Sequence, residues 1–504
     1  MSSGEVGACA VAAIDLGATS GRVMLGVVAR GRIELVPAHR FENRLAQREG
    51  HLSWDLDALW REIQQGLAAA HDLAQLRGLP GLASIGVDSW AVDYALFGPD
   101  GDRIGEVIAY RDDRTDGVAD RLATTVSGQR QFALTGIAQQ PFNTLYQLAV
   151  DDRLASLPAG STALLVPDAI GFLLTGQRRT ELTNASTTGM LAAGEAAWAP
   201  ELLTAAGVDE RLLAPFIAPG EVLGTVRPEL AARLGIGEVP VIAVGSHDTA
   251  SAVLAVPAEE STAGGPIAYI SSGTWSLIGL ELDTPVVAEE AREAGFTNER
   301  GVDGTVRFLQ NVSGMWLVSE SIRQWEDEGA EVELDELLAA AAAVPGNRFR
   351  IDPTDPDWLT PGRMADRVRE AARPLAGQES PRTPAELIRC LLESLAETYR
   401  DSLQTACDLA GVPLPERLHV VGGGSRNALL NQLTADALDI EVIAGPMEAT
   451  ALGNVALQAR ALGMVSGQPE EIRQLVRASV DLESFTSSGT GQAAPERDAR
   501  QLPA

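Results

Sequence analysis

The sequence predicts a mixed α/β protein made of two related domains. Short runs rich in Val, Ile and Ala alternate with stretches of helical periodicity, which is the pattern of α/β units rather than of a sandwich or a bundle. The two halves also open alike, because AIDLGATSGR (13–22) and YISSGTWS (269–276) each run from an apolar strand into a glycine turn with Ser and Thr. A segment rich in Pro, Gly, Ser and Glu, residues 255–266, is expected to link the halves of the 504-residue chain.

Each expected element follows from a local pattern. Short apolar, β-branched runs predict strands at residues 11–15, 23–28, 84–87, 163–166, 239–244, 267–270, 418–421 and 441–443. Apolar residues spaced by three and four predict helices at residues 56–76, 251–256, 384–410, 428–437 and 449–462. We therefore divide the chain into a first domain (8–257), a second domain (264–465) and a C-terminal extension (466–504), whose small polar residues from about Ser487 predict a disordered tail.

Composition narrows the class of protein. The formal net charge is −30 and no basic stripe is present, which argues against nucleic acid and anionic membranes as partners. Cys9, Cys390 and Cys407 lie far apart without a C-x-x-C pair, which argues against a disulfide framework or a cysteine zinc site. A reduced compartment suits them, and we read neither a secretion signal nor a membrane-spanning run, so a cytoplasmic location is expected.

The absence of lysine excludes several chemistries. All 39 basic residues are arginine. A Walker A loop, a protein-kinase fold and a Schiff-base enzyme each need a lysine, so none of them fits this chain. If the protein handles ATP, another architecture must hold the phosphates.

The two glycine turns are candidates for that architecture. Small residues let a phosphate approach backbone N–H groups, and two facing turns would hold a polyphosphate between them. Either turn taken alone is better explained as an ordinary hairpin turn, and it is the pairing of the two that favours a phosphate site. A third cluster, Gly422, Gly423 and Gly424, lies between an apolar strand and a helical segment, where a flat ligand could lie against backbone.

Two aspartates are candidates for the chemistry. Asp248 follows the strand expected at 239–244, and a carboxylate there points into the crevice where α/β sheets bind ligands. It could take the proton from an attacking hydroxyl, or Asp248 or Thr249 could simply cap a helix. Asp15 precedes the first turn and could hold Mg²⁺ against phosphates, or could simply form the turn.

The motifs together resemble the FGGY family of carbohydrate kinases, within the superfamily of actin-like proteins, sugar kinases and heat-shock chaperones. The matching segments run in order over about residues 13–460: AIDLGATSGRVML, SWAVDYALF, AYRDDRTDGV, PFNTLYQL, LTNASTTGML, SHDTASAV, AYISSGTWSL, RLHVVGGGSRNALLNQL and VIAGPMEATALGN. The resemblance implies two ribonuclease-H-like domains with a cleft between them, the first binding sugar and the second binding most of the ATP.

The resemblance also implies an activity. PFNTLYQL and SHDTASAV are similar to the branch that transfers the γ-phosphoryl group of ATP to the 1-hydroxyl of L-rhamnulose. The expected partners are a small ketose and ATP with Mg²⁺, and monomer and homodimer both stay open. The alternatives are a kinase of the same family acting on fuculose, xylulose or a polyol, and an actin-like ATPase that is not a kinase.

The family's functional residues map onto this chain position by position. The resemblance implies Asp248 as the base and Asp15 as the metal ligand. The implied sugar contacts are Ala91, His247, Asp248, Thr249 and Asn311, and the implied ATP contacts are Ala18, Thr19, Ser20, Gly21, Arg22, Thr274, Ser319 and Gly423. Two positions depart from the branch, since similar kinases have glycine in place of Ala91 and glutamine in place of Ser319.

Overall fold

The structure is a computed structural model that describes residues 7–259, 265–360, 362–375 and 380–489. The centre of the expected linker, residues 260–264, and most of the expected disordered tail, residues 490–504, lie outside the described residues.

The first half of the chain contains thirteen described strands and nine described α-helices. The strands are β1 (Cys9–Leu16), β2 (Ser20–Ala29), β3 (Arg32–Glu42), β4 (Leu45–Arg48), β5 (His51–Trp54), β6 (Leu82–Ser89), β7 (Tyr94–Phe97), β8 (Val107–Ile108), β9 (Thr162–Leu165), β10 (Thr180–Glu181), β11 (Phe216–Ile217), β12 (Val222–Thr225) and β13 (Pro240–Ile242). The helices are α1 (Leu56–Leu76), α2 (Val118–Ala123), α3 (Gly128–Thr135), α4 (Thr144–Ala149), α5 (Val166–Thr175), α6 (Leu182–Ala185), α7 (Pro200–Ala206), α8 (Pro228–Leu234) and α9 (Asp248–Leu254).

The second half contains nine described strands and eight described α-helices. The strands are β14 (Ile267–Ser272), β15 (Ser276–Leu282), β16 (Phe296–Arg300), β17 (Val306–Val312), β18 (Phe349–Arg350), β19 (Arg373–Pro374), β20 (Arg417–Val421), β21 (Glu441–Ala444) and β22 (Glu483–Phe485). The helices are α10 (Glu289–Glu293), α11 (Trp316–Asp327), α12 (Leu334–Ala343), α13 (Met364–Ala371), α14 (Pro384–Ala410), α15 (Ala428–Leu438), α16 (Ala449–Ala461) and α17 (Pro469–Ser479).

Two large sheets of the same plan organise the molecule. The first has the order β12-β13-β6-β1-β2-β3, and the second has the order β16-β17-β15-β14-β20-β21-β22. In each, an antiparallel hairpin (β1–β2 or β14–β15) opens the sheet, and its first strand pairs in parallel with a later strand (β6 or β20). The prediction of two related α/β domains is therefore confirmed by topology.

The longest helices form where the sequence carries complete start and stop signals. For α14, the Thr383 side chain accepts from the backbone of Glu386, and the Glu386 side chain accepts in return from Thr383, with Pro384 at the first helical position. Gly411 ends the helix in the left-handed conformation. Both α1 and α14 have the predicted bounds.

Two elements next to the candidate active site differ from their predicted bounds. The strand predicted at 239–244 ends at Ile242, because the Ala243 N–H and carbonyl bond Glu221 and Gly220 of a neighbouring loop instead of a strand. The helix predicted at 251–256 begins three residues earlier, at Asp248, and ends at Leu254. The turn between β13 and α9 is thus shorter than predicted, which brings Asp248 close to the sheet.

One apolar cluster joins the two domains. It combines Val11, Met24 and the helix α9 from the first half with Tyr269 and the helices α16 and α17 from the second. The C-terminal helix α17 packs on β3, and the Ile33 N–H donates to Ser479 Oγ at 2.7 Å. Residues 255–258 of the expected linker are buried at this junction. The last residues of the first half and the last two helices of the second half therefore pack in one shared apolar core.

Among the described residues, no helix is both long and apolar enough to cross a membrane.

We predict that Gly453→Ala destabilises the junction of the two domains. A Cβ at this position of α16 would lie 1.9 Å from the Ser251 carbonyl oxygen of α9, and backbone cannot swing aside as a side chain can. Overpacking of this kind costs about 1–3 kcal/mol of unfolding free energy, so the thermal midpoint should fall. Gly467→Ala is the matched control, because no atom lies within 4 Å of its added Cβ. Equal midpoints for both variants would contradict the close helix contact.

Candidate active site

Three parallel strands bring the candidate residues to one edge of the first sheet. Asp15 and Asp88 are register partners at the ends of β1 and β6. The Ser89 N–H donates to the Ser246 carbonyl at 2.9 Å, and a parallel bridge joins Ser89 to His247. The carboxyl ends of parallel strands are where open α/β sheets bind ligands. The edge therefore gathers Asp15, Asp88 and the turn that carries Asp248.

The first glycine turn is held in place by its neighbours. It joins β1 to β2, and the Gly17 N–H donates to the Ser20 carbonyl at 2.9 Å. Asn43 fixes it from the segment after β3, since its Nδ2 donates to the Gly17 carbonyl at 2.9 Å and its N–H donates to the Thr19 carbonyl at 3.0 Å. Ala18 is half-buried and Thr19 is exposed. The turn thus offers a fixed, accessible backbone to an anion.

The second glycine turn and the glycine cluster lie against each other. Thr274 is exposed in the turn between β14 and β15, and its carbonyl accepts from the Trp316 N–H at 3.0 Å. A Cβ on Gly424 would lie 1.9 Å from Ser272 Oγ, so only glycine fits beside the end of β14. Nothing lies within 4 Å of a Cβ built on Gly423. Gly423 therefore faces open space beside the turn.

Ion pairs around Arg22 connect the first turn to the second domain. Arg22 Nε donates to Asp15 Oδ2 at 2.9 Å, and the same guanidinium pairs with Glu448, just before α16. Burial raises the pKa of Asp15, and the charge and hydrogen bond of Arg22 oppose this without cancelling it. Arg22 is thus the cation that balances the first turn.

Asp88 is the most isolated carboxyl group at this edge. Its Oδ2 accepts from Asn454 Nδ2 of α16 at 2.5 Å, whereas its buried Oδ1 has no hydrogen-bond partner among the described residues. Burial first, and the neighbouring charge of Asp15 next, raise the pKa of Asp88 well above its ordinary value. A positive charge is the natural complement of such a group.

Asp248 is the first residue of α9 and is one-third exposed. Its Oδ1 accepts from the Thr249 N–H at 2.5 Å and from Thr249 Oγ1 at 3.0 Å, and no described residue donates to Oδ2. His247, not Asp248 or Thr249, occupies the N-cap position, and it makes no side-chain cap bond. The simple capping interpretation of Asp248 or Thr249 is therefore wrong, and Asp248 keeps one oxygen for another partner.

A buried ion pair of the second domain holds His247 in place. Arg307 NH2 lies 3.0 Å from His247 Nδ1, and Glu299 Oε2 lies 2.9 Å from Arg307 NH1 and 3.2 Å from His247 Nδ1. Burial disfavours the charge on Glu299, but Arg307 and His247 outweigh it and lower its pKa to about 2. His247 Nε2 is left directed toward Asp248, at 3.4 Å from its Oδ1.

The carboxylates of this edge fit a magnesium ion. Within the described residues, no group of three or more His, Cys, Asp or Glu side chains is arranged to hold a metal ion by itself. Mg²⁺ in phosphoryl-transfer enzymes is usually held by one or two carboxylates together with phosphate oxygens. Asp15 and the unpartnered Asp88 Oδ1 supply hard oxygen ligands of that kind. The residues present therefore fit the ion.

The structure brings together most, though not all, of the predicted site residues. Ser319 lies exposed on α11, one turn beyond Met315, which contacts Asn427 near the glycine cluster. Asn311 lies on β17, next to the second turn, and no hydrogen bond joins it to His247 among the described residues. Ala91 lies in the loop after β6, where the Trp90 N–H donates to the Leu16 carbonyl at 3.1 Å.

Sequence reasoning missed the residues that support the site. They are Asn43, Asp88, Glu299, Arg307, Glu448 and Asn454. Polar residues within apolar strands were the available signal for Asp88 and Arg307. For Asn454 on α16 the signal was weaker, because a polar residue in a helix usually faces solvent.

The chain belongs to the FGGY family of carbohydrate kinases. The family's N-terminal domain matches residues 10–255, and its C-terminal domain matches residues 268–462. The protein is therefore an enzyme of the sugar phosphotransferase class.

Curated relatives narrow the similarity further. The chain is 42% identical over 475 residues to the rhamnulokinase of Bacteroides thetaiotaomicron, covering 94% of this chain and 95% of that protein. It is 41% identical over 474 residues to the rhamnulokinase of Bacillus subtilis, covering 94% of each.

Solved structures agree in fold at low sequence identity. A ligand-bound xylulose kinase from Lactobacillus acidophilus superposes with a TM-score of 0.77 at 18% identity, covering 95% of this chain and 94% of that one. Glycerol kinase from Plasmodium falciparum with ADP gives a TM-score of 0.77 at 14% identity, with the same coverage. These likenesses establish the two-domain sugar-kinase fold.

We predict that Glu299→Gln changes the acid stability of the protein. Because the pKa of Glu299 is lowered from 4.5 to about 2, its charge contributes stability above pH 4.5 that is lost as the pH falls toward 2. The thermal midpoint of the variant should therefore lie well below wild type at neutral pH, and the gap should narrow below about pH 4.5.

Glu201→Gln serves as the control, because Glu201 pairs with Arg130 on the surface and should change little at any pH. A gap between Glu299→Gln and wild type that stays constant from neutral pH to about pH 3 would contradict the buried pair.

Proposed function

We propose that this carbohydrate kinase transfers the γ-phosphoryl group of ATP to the 1-hydroxyl of L-rhamnulose, giving L-rhamnulose 1-phosphate and ADP. The observation that carries the proposal is the identity of about 40% with curated rhamnulokinases over 94% of the chain. The xylulose kinase structures are only 16–20% identical, so they support the fold and not the sugar. A kinase for fuculose, xylulose or a polyol is therefore not favoured.

The site supports an arrangement of the two substrates. We assign the triphosphate to the two glycine turns, with Ala18, Thr19, Ser20, Gly21 and Arg22 on one side. On the other side we assign Thr274, Ser319 and Gly423 to ATP. Open space at Gly423 and the exposed Thr274 support the nucleotide assignment.

We assign the ketose to the first domain. The loop of Ala91 lies beside the turn that carries His247, Asp248 and Thr249, and both lie next to the first glycine turn. Asn311 is assigned to the sugar from the other side, on β17 of the second domain. This places the sugar hydroxyl between a base and the phosphate end of ATP.

Asp248 is the base in this mechanism. Its free Oδ2 accepts the proton of the 1-hydroxyl as that oxygen forms a bond to the γ-phosphorus and the bond from phosphorus to the β,γ-bridging oxygen breaks. ADP leaves and the proton stays on Asp248 until it passes to water. Because phosphoryl transfer has a loose transition state, the proton leaves late and an ordinary, well-placed carboxylate is sufficient.

Sugar kinases of this family use ATP with a divalent metal, and we propose Mg²⁺ held by Asp15, with Asp88 beside it. When bound, the ion neutralises phosphate charge. The protein itself supplies little positive charge beside the first glycine turn. It contains no lysine, and Arg22 is already paired with Asp15 and Glu448. We also propose a cytoplasmic location, which suits three free cysteines.

A coupled ADP-release assay across ketoses and polyols tests the proposal. L-Rhamnulose should give the highest kcat/KM, and ATP turnover without sugar should be small. A higher kcat/KM for fuculose or xylulose would favour another sugar of the same family. ATP hydrolysis that no sugar alters would favour the non-kinase ATPase.

We predict that Asp248→Asn lowers kcat by at least about 10²-fold, the usual scale for a positioned general base. The amide keeps the shape but cannot accept the proton. ADP affinity, measured by calorimetry, should stay within about twofold of wild type because the nucleotide lies elsewhere. Near-normal turnover in the folded variant would remove Asp248 from the mechanism.

We predict that activity requires Mg²⁺ and that Asp15→Ala abolishes it, because no lysine replaces the metal charge. A readout apart from turnover is thermal stabilisation by ADP with Mg²⁺, which should be strong in wild type and weak in Asp15→Ala. Full activity in excess chelator would refute the metal requirement.

A further inference from the structure

A strained turn lies next to the edge of the first sheet that carries Asp15 and Asp88. Val92 has φ of 69°, in the left-handed region that β-branched residues avoid. The Asp93 N–H donates to the Ala91 carbonyl at 2.9 Å, so Ala91, Val92 and Asp93 form a three-residue turn around that strained residue. Such a conformation persists only where the surroundings impose it.

Two side chains of α4 form hydrogen bonds with this turn. Thr144 Oγ1 donates to the Val92 carbonyl at 2.7 Å, and Gln147 Nε2 lies 3.3 Å from the same carbonyl and 3.1 Å from Asp93 Oδ1. Both side chains are buried. The helix is itself fixed, because Leu145, Tyr146 and Leu148 belong to an apolar cluster of the first domain.

The aromatic residues next to the turn complete the support. Asp93 Oδ2 accepts from Trp54 Nε1 at 2.6 Å and from Trp90 Nε1 at 3.0 Å, and the two indole rings lie 4.5 Å apart. The turn is therefore held at the Val92 carbonyl and at both oxygens of Asp93.

The held turn links the two sides of the reaction. On one side, the Trp90 N–H donates to the Leu16 carbonyl at the start of the first glycine turn. On the other, the Ser89 N–H donates to the Ser246 carbonyl beside His247. A displacement of the turn would therefore move Ala91 relative to both the phosphate turn and Asp248.

We propose that Thr144 and Gln147 are positioning residues that hold the strained turn at Val92 and thereby set where the ketose lies between the phosphates and Asp248. This inference rests on the proposed function for its effect on the sugar. It assigns to PFNTLYQL a role through the turn, with Thr144 and Gln147 directed at the protein backbone and Asp93 rather than at the sugar.

A double-mutant cycle tests the proposal. Thr144→Val removes the hydroxyl at constant shape, and Val92→Gly lets the turn reach a positive φ without strain. Thr144→Ser keeps the donor. The control is Thr434→Val, since Thr434 is a buried threonine of α15 whose hydroxyl also donates to a backbone carbonyl, at 2.7 Å from that of Leu430.

With Val92 in place, Thr144→Val should raise KM for the sugar by at least about threefold, the scale of one lost hydrogen bond, with KM for ATP within about twofold. Thr144→Ser and Thr434→Val should leave the sugar KM within about twofold. In the Val92→Gly background, the rise in sugar KM that Thr144→Val causes should be about threefold smaller than it is with Val92 in place. The proposal would be overturned if Thr144→Val raised the sugar KM equally with and without Val92→Gly. It would also be overturned if Thr144→Val raised KM for sugar and for ATP equally.

A structural readout does not depend on the sugar. Hydrogen exchange of peptides covering residues 89–97 should be faster in Thr144→Val than in wild type, and unchanged in Thr434→Val. If Thr144→Val alone fails to fold, we compare the thermal midpoint of Val92→Gly with that of the double variant Val92→Gly and Thr144→Val. A small difference between the two midpoints supports the proposal, and a large difference contradicts it.

The two failures are distinguishable. Loss of the proposed function would appear as wild-type protein that does not phosphorylate L-rhamnulose, while the exchange experiment would still decide what holds the turn. Unchanged exchange at residues 89–97 in folded Thr144→Val would overturn the positioning role whatever the sugar.

Discussion

The insertion of α16 into the first domain is the contact on which the rest of the structure depends. Its Gly453 lies so close to Ser251 of α9 that no side chain fits between the helices. Two polar side chains of α16, one helical turn apart, bond residues of β6 in the first sheet. Gln458 accepts from Ser84 Oγ at 2.6 Å, and Asn454 donates to Asp88. Hydrogen bonds in such a buried, low-dielectric setting are stronger than the same bonds in water. These two contacts therefore tie α16 of the second domain to β6 of the first domain, beside the candidate active site.

The same junction concentrates negative charge where we propose that ATP binds. Asp15, Asp88 and Asp248 come from three chain segments, and Glu448 enters from the second domain. Isolated buried carboxylates are costly, which is why burial raises the pKa of Asp15 and Asp88. The molecule offsets only part of this cost with Arg22. The remaining imbalance matches the proposed use of a divalent cation, whose positive charge the lysine-free chain does not provide.

The side that we assign to the sugar is held by more side-chain contacts than the side that we assign to the phosphates. His247 is held by the buried pair of Glu299 and Arg307 from the second domain, and the loop of Ala91 is held by hydrogen bonds at Val92 and Asp93. By contrast, Thr19, Thr274 and Gly423 are exposed, and they present mainly backbone groups to a ligand. This division suits a kinase, because a small ketose needs fixed side chains for discrimination whereas a triphosphate can be bound by backbone and metal.

The sequence by itself determined the α/β class, the repeat of two domains and most elements near the two turns. Periodicity and caps are local properties, so α1 and α14 could be predicted to the residue, and the hairpins could be placed from AIDLGATSGR and YISSGTWS. The family resemblance rested on the same short segments and is confirmed. The individual roles of the site residues stay predictions.

Only the tertiary structure decided which side chains support the site. Asn454 lies hundreds of residues from Asp88, and Arg307 lies in the other domain from His247, so no local pattern specifies either meeting. The positive φ of Val92 was equally hidden, because its local sequence favours an extended backbone and the hydrogen bonds from Thr144 and Gln147 override that preference. Sequence patterns record what each segment prefers, whereas strain and long-range polar contacts exist only once the segments are packed together.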